Sequence, residues 1–128
     1  MNKQDEASKV ILVIEDNKTN MKLVTTLLSI DNYKILEAYD AESGIKLAKS
    51  KKPDLILMDI QLPGIDGFEA TKILKNDPET SDIPIIALTS YAMREDKEKA
   101  VEVGCDDIIV KPLNTRTFLK EIAGFIKQ

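Results

Sequence analysis

Leu55-Ile56-Leu57-Met58-Asp59 runs four apolar side chains into a carboxylate, and three other stretches repeat the design. VILVI at 10–14 is followed by Glu15 and Asp16, PIIALT at 84–89 ends on Thr89, and DIIV at 107–110 is followed by Lys111. Short runs this rich in Val, Ile and Leu read as strands buried on both faces of a parallel sheet. Their C-terminal ends then lie along one edge, which in an open α/β sheet is where ligands bind. Three carboxylates, a hydroxyl and an amine converge there. That set suits a hard divalent cation and a phosphoryl group.

Outward from these runs, strand-like segments at 9–14, 34–38, 55–59, 85–89 and 107–110 alternate with helix-like segments at 18–31, 41–50, 67–77, 94–103 and 115–127. Strict βα alternation implies an α/β fold, a five-stranded parallel sheet wound in (βα)5 order with helices on both faces. Met21, Val24 and Leu28 share one face of the first helix, and Phe118, Ile122, Phe125 and Ile126 one face of the last. These apolar faces cover the sheet. Pro53, Pro63, Pro78, Pro84 and Pro112 all fall between elements, and Gly104 stands where the fourth helix ends.

The chain has 128 residues, enough for one domain with one core, with residues 1–8 read as a flexible tail and 9–128 as the domain. Eighteen Lys and Arg against 22 Asp and Glu leave a net charge of -4, which opposes direct binding to a nucleic-acid backbone. No apolar stretch approaches the roughly 18 residues of a membrane span, and the polar start MNKQDEAS lacks a signal-peptide core. A cytoplasmic protein without membrane insertion is expected. The lone Cys105 excludes an intrachain disulfide and reads as an inert, mostly buried thiol. With no histidine, a Ser-His-Asp triad, an imidazole metal site or an internal phosphohistidine relay is impossible. Any phosphoryl donor must come from outside.

These residues resemble the CheY-like receiver domains of two-component response regulators, from about residue 9 to the C-terminus. The pattern is an acidic pair after the first strand, an Asp ending the third followed by x-x-x-Pro-Gly-x-x-Gly, a Thr ending the fourth and Lys-Pro after the fifth. Each piece alone is weak; five in order, each at its own strand end, are highly specific. ALTSYAM and GCDDIIVKP are similar to stand-alone cell-division regulators of the DivK type and to receivers fused to hybrid histidine kinases.

The resemblance implies a flavodoxin-like fold and a role for each residue. Asp59 is the implied phosphoacceptor, a modest nucleophile that needs a cation to neutralise the incoming charge. Glu15, Asp16, Asp59 and the main-chain carbonyl of Gln61 are the implied ligands of Mg²⁺, with Mn²⁺ as an alternative. Lys111 and Thr89 are implied to contact phosphoryl oxygens. The family typically has a cis bond at the position of Lys111-Pro112, aiming the lysine inward. Gln61 and Tyr91 border the implied approach of hydrolytic water, and Tyr91 is expected to shield the phosphoryl group. A histidine kinase or histidine phosphotransferase is the implied donor, docking on the first helix near Lys18, Asn20 and Met21. Because the sequence stops at the fifth helix, output is expected through a surface of the fourth helix, fifth strand and fifth helix that binds a downstream protein. Beyond its self-directed phosphoryl transfer and slow dephosphorylation, no enzyme activity is expected.

One departure concerns switching. Receivers often carry an aromatic residue three positions before the Lys, where this chain has Ile108. The paired motion of hydroxyl and ring then has no ring, and Ile108 can only repack. Plain alternatives have Asp16 capping the first helix and Gly64 and Gly67 merely turning the chain. Among other classes, a haloacid-dehalogenase-like phosphatase needs a second Asp where Gln61 stands. A flavodoxin-like nucleotide binder needs a Gly/Ser/Thr-rich phosphate loop where Glu15 and Asp16 would repel phosphate.

Overall fold

The computed structural model describes residues 8–90 and 94–126. Five parallel strands, β1 (Val10–Ile14), β2 (Lys34–Ala38), β3 (Leu55–Asp59), β4 (Ile85–Thr89) and β5 (Asp107–Val110), form one sheet in the order β2-β1-β3-β4-β5. The helices are α1 (Lys18–Ile30), α2 (Ala41–Lys51), α3 (Gly67–Lys75), α4 (Arg94–Val103) and α5 (Phe118–Ile126). This is the doubly wound (βα)5 architecture expected from the alternation.

Side-chain alternation along the strands divides the core. Ile11, Val13, Leu55, Leu57, Ile86, Leu88 and Ile109 pack against α1 and α5. Leu12, Ile14, Ile56 and Met58 pack against α2 and α3. Full burial of one such side chain contributes about 1.5–3 kcal/mol, so the three central strands anchor the fold. The expectation of two-sided burial holds for β1, β3 and β4, but β5 lies at the sheet edge with Asp107 and Val110 exposed. A four-residue run is apolar enough to resemble a central strand without being one.

Helix starts follow local chemistry. Asn17, Asp40 and Asp66 cap α1, α2 and α3, each side chain accepting the N–H of the residue three positions on, at 2.9, 2.8 and 2.9 Å. Asn17, rather than Asp16, therefore satisfies the start of α1. The last helix begins at 118 instead of 115 because Asn114 first closes a turn. Its side chain accepts Arg116 N–H at 3.0 Å and its carbonyl accepts Phe118 N–H at 2.9 Å. The third helix stops at Lys75, two residues short of expectation, as Asp77 opens the next turn by accepting Glu79 N–H at 2.9 Å. Gly104, at φ 102°, ends α4 as expected.

α4 is anchored differently from the other helices. Ala100 is its single buried residue. Ile60, Phe68, Ala87 and Ala100 make a small separate cluster beneath it, joined by Val103, Cys105 and Ile108 at its margin. Lys99 places its ammonium 5.1 Å from the centre of the Phe68 ring.

Candidate functional site

Register brings the reactive residues together. Ile14 pairs with Met58, Asp59 with Leu88, and Thr89 with Val110. The residues just past the strand ends remain hydrogen-bonded: Glu15 N–H to Ala38 O at 3.0 Å, Ile60 N–H to Leu88 O at 3.0 Å and Lys111 N–H to Thr89 O at 2.7 Å. These side chains therefore stand on a rigid sheet edge. Between β1 and β3 the winding of the chain reverses direction across the sheet, which is where open α/β sheets bind ligands. Glu15 and Asp59 lie at that point.

Glu15 is fully buried, Asp59 is 3% exposed and Thr89 is buried, while Asp16 and Gln61 are exposed and Lys111 lies between. The Lys111 ammonium donates to Glu15 Oε1 at 2.9 Å and stands 3.4 Å from Asp59 Oδ2. The remaining carboxylate oxygens meet backbone donors: Asn17 N–H reaches Glu15 Oε2 at 3.1 Å and Gln61 N–H reaches Asp59 Oδ1 at 3.0 Å. The Lys111-Pro112 bond is cis.

One ammonium thus serves two buried acids, with Asp16 adding a third carboxylate. One oxygen from each of Glu15, Asp16 and Asp59 lies within 4.8 Å of the others. At that separation two full charges repel by about 3 kcal/mol at an effective dielectric near 20. The imbalance registers on Asp59, whose carboxyl is pushed up to about 6, first by burial and then by Glu15. Gln61 N–H and the Lys111 charge pull the other way without restoring it. The donor set is all oxygen, negatively charged and short of cations, so Glu15, Asp16 and Asp59 fit a hard divalent ion.

Residues outside this cluster divide clearly. Ile108 is half-buried in the apolar cluster under α4. Tyr91, expected to shield the site, lies outside the described residues, as do residues 1–7 of the expected tail. Met21, read as part of a docking surface, is 1% exposed and packs in the core. Leu23, 43% exposed, lies on the outward side of α1 instead. It lines a cavity of about 440 Å³ with Asn20, Val24, Leu88, Ser90, Lys111, Pro112 and Leu113. Cys105 is half-buried and its thiol is pushed up by burial, as an inert thiol requires.

Sequence reasoning missed Asn17, whose side chain caps α1 while its N–H holds Glu15. An Asn directly before a helical run is the signal that identifies it. Because Asn17 makes the cap, Asp16 is left to the acidic cluster.

The model of the response regulator receiver domain matches residues 11–123. The chain belongs to this family. Curated relatives agree with that: the polar-differentiation response regulator DivK of Brucella anthropi is 40% identical over 118 residues, covering 92% of this chain and 96% of that protein. DivK of Brucella ovis is 40% identical over 119 residues, covering 93% and 97%. Among solved structures, the receiver domain of sensor histidine kinase PA1611 from Pseudomonas aeruginosa PAO1, with a magnesium ion coordinated in its active site cleft, superposes with a TM-score of 0.88. It is 30% identical and covers 95% of this chain and 100% of that one. The chemotaxis protein CheY4 of Vibrio cholerae gives a TM-score of 0.88 at 27% identity, covering 93% and 99%. No described helix of this receiver domain is long and apolar enough to cross a membrane.

Proposed function

We propose that this receiver domain accepts a phosphoryl group on Asp59 from a phosphohistidine of a histidine kinase or histidine phosphotransferase. The observation that carries this is the pairing of a buried Asp59, held by Gln61 N–H, with the Lys111 ammonium 3.4 Å away. An Asp59 oxygen forms the new bond to phosphorus while the P–N bond to the donor imidazole breaks, and that imidazole takes up a proton as it leaves. Lys111, already inside the pocket, stabilises charge on the transferred group, and Thr89 at the end of β4 donates to one of its oxygens. Glu15, Asp16, Asp59 and the Gln61 carbonyl would hold Mg²⁺ or Mn²⁺, which when bound neutralises the incoming phosphoryl charge. Gln61 also borders the approach of water that later hydrolyses the acyl phosphate.

The cavity along Asn20, Leu23 and Leu113 opens beside Lys111 and supports donor docking on this side of α1. Output runs through α4, β5 and α5, where Val101 is 74% and Val110 39% exposed. A shift of that surface from 1:99 to 99:1 needs about 5.5 kcal/mol of preference for one state, which the added contacts to Lys111, Thr89 and the cation supply. With Ile108 in place of an aromatic ring, repacking of the apolar cluster under α4 carries the change. Intact mass with acetyl phosphate and Mg²⁺ tests the reading. Gain of one phosphoryl group is expected, and no gain in wild-type protein rejects it.

A further inference from the structure

We infer that Gly67 is a positioning residue for Asp59, acting through the peptide that follows it; the chemical consequence rests on Asp59 being the acceptor. α3 begins at Gly67, fixed by its Asp66 cap and by Gly67 N–H donating to Ile60 O at 2.9 Å. The first turn presses directly on β3's end. A Cβ at position 67 would fall 2.6 Å from Ile60 Cα, 3.0 Å from the Asp59 carbonyl carbon and closer still to its oxygen. The opposite side of the same peptide is held by Ile60 N–H donating to Leu88 O at 3.0 Å. The Asp59–Ile60 peptide is therefore clamped between β4 and α3, and only a residue without a side chain permits the clamp.

That peptide governs two directions at once. It sets where the Asp59 carboxylate points, and it leads into Gln61, whose N–H holds Asp59 Oδ1 at 3.0 Å. A methyl at 67 has to be accommodated by moving backbone, which turns both. Misplacement of a reacting group by about 1 Å costs on the order of 100-fold in rate. Gly44 provides the contrast: a Cβ there would meet Ile14 Cγ1 at 2.7 Å and Cγ2 at 3.3 Å, atoms of a buried core side chain rather than the backbone that carries the acceptor. Ile14 directly precedes Glu15, so Gly44 also presses on a residue next to the site.

The test compares Gly67→Ala with Gly44→Ala in the full chain. It measures melting temperature, the initial rate of phosphoryl incorporation from acetyl phosphate with Mg²⁺, and the amide resonance of Gln61. Gly67→Ala is expected to slow incorporation at least ~10-fold and displace the Gln61 resonance, while Gly44→Ala stays within about twofold of wild type even where its melting temperature falls as far. A Gly67→Ala rate within twofold of wild type, or rates that track melting temperature in both variants, overturns the assignment. Should Gly67→Ala not fold, Asp66→Ala decides: loss of the cap loosens the same turn and is expected to slow incorporation about threefold, and a wild-type rate rejects the idea. If the wild-type chain incorporates nothing, the acceptor reading has failed. The Gln61 resonance then still decides whether Gly67 holds this peptide.

Discussion

Acidic residues stand at both ends of the sheet, and they do opposite things. At the N-terminal ends, Asp54 accepts Val10 N–H at 2.8 Å, and Asp106 accepts Ile85 N–H at 2.8 Å and the Lys75 ammonium at 3.1 Å. Both acids are exposed, and both are used to start a strand. At the C-terminal ends, Glu15 and Asp59 are buried, crowd a third carboxylate and share Lys111. The same residue type is structural where solvent and donors are plentiful. It becomes chemically loaded where burial removes water and partners are too few.

The largest expected difference between the two ends is chemical. Asp59→Asn keeps the shape but lacks a nucleophilic carboxylate, so phosphoryl incorporation measured by intact mass falls at least ~100-fold, whereas Asp54→Asn leaves it within a factor of about two. Undiminished incorporation in Asp59→Asn would show that the acceptor lies elsewhere.

Next comes the lysine. Removing one partner of a buried charge group typically costs about 3–5 kcal/mol, so Lys111→Met lowers unfolding free energy by roughly 3 kcal/mol in cation-free buffer, read by urea titration. Lys52→Met breaks an exposed pair with Glu79 at 3.5 Å and should cost under about 0.5 kcal/mol. Equal losses would erase the contrast between buried and exposed charge.

A pH series sharpens it. Because the folded state raises Asp59 to about 6, the folded protein holds a proton that the unfolded chain has released between pH about 4 and 6. This contribution to stability is present below the unfolded value and lost as pH rises through about 6. In cation-free buffer the Asp59 contribution therefore falls with rising pH across this window. Subtracting the urea-unfolding profile of Asp59→Asn from that of wild type isolates it, and a difference that stays flat or rises rejects the raised value.

The smallest effect belongs to exposed Asp16. Asp16→Asn relieves repulsion in the cation-free pocket and removes a ligand, so the variant melts slightly higher without Mg²⁺ and gains less than half the wild-type stabilisation with it. Identical Mg²⁺-induced shifts in thermal melting would strike Asp16 from the ligand set.

How much of this was legible depended on the distance over which each signal acts. The central strands were readable because two-sided burial demands unbroken apolar runs, and the strand ends carried the site with them. The edge position of β5 was hidden, since four residues do not report what lies beyond the next strand. Asn17 was visible as a cap signal and was passed over in favour of Asp16. The contact of Lys111 with Glu15 spans 96 positions, so the two could be placed on one edge while their 2.9 Å pairing could not be read. The sheet-starting roles of Asp54 and Asp106 left no pattern in the sequence, because a carboxylate accepting a distant strand's first N–H looks like any surface acid.

α4's single buried anchor makes it a lightly fastened unit of the molecule. Amide protons of β3 exchange only when most of the domain opens, whereas those of α4 need break little more than the contacts of Ala100 and the apolar margin around it. Residues 94–103 will therefore lose protection against deuterium far sooner than 55–59, through openings that leave the sheet intact. A helix so lightly fastened can detach, turn and reseat without disturbing the hydrogen-bonded edge that carries the charged groups.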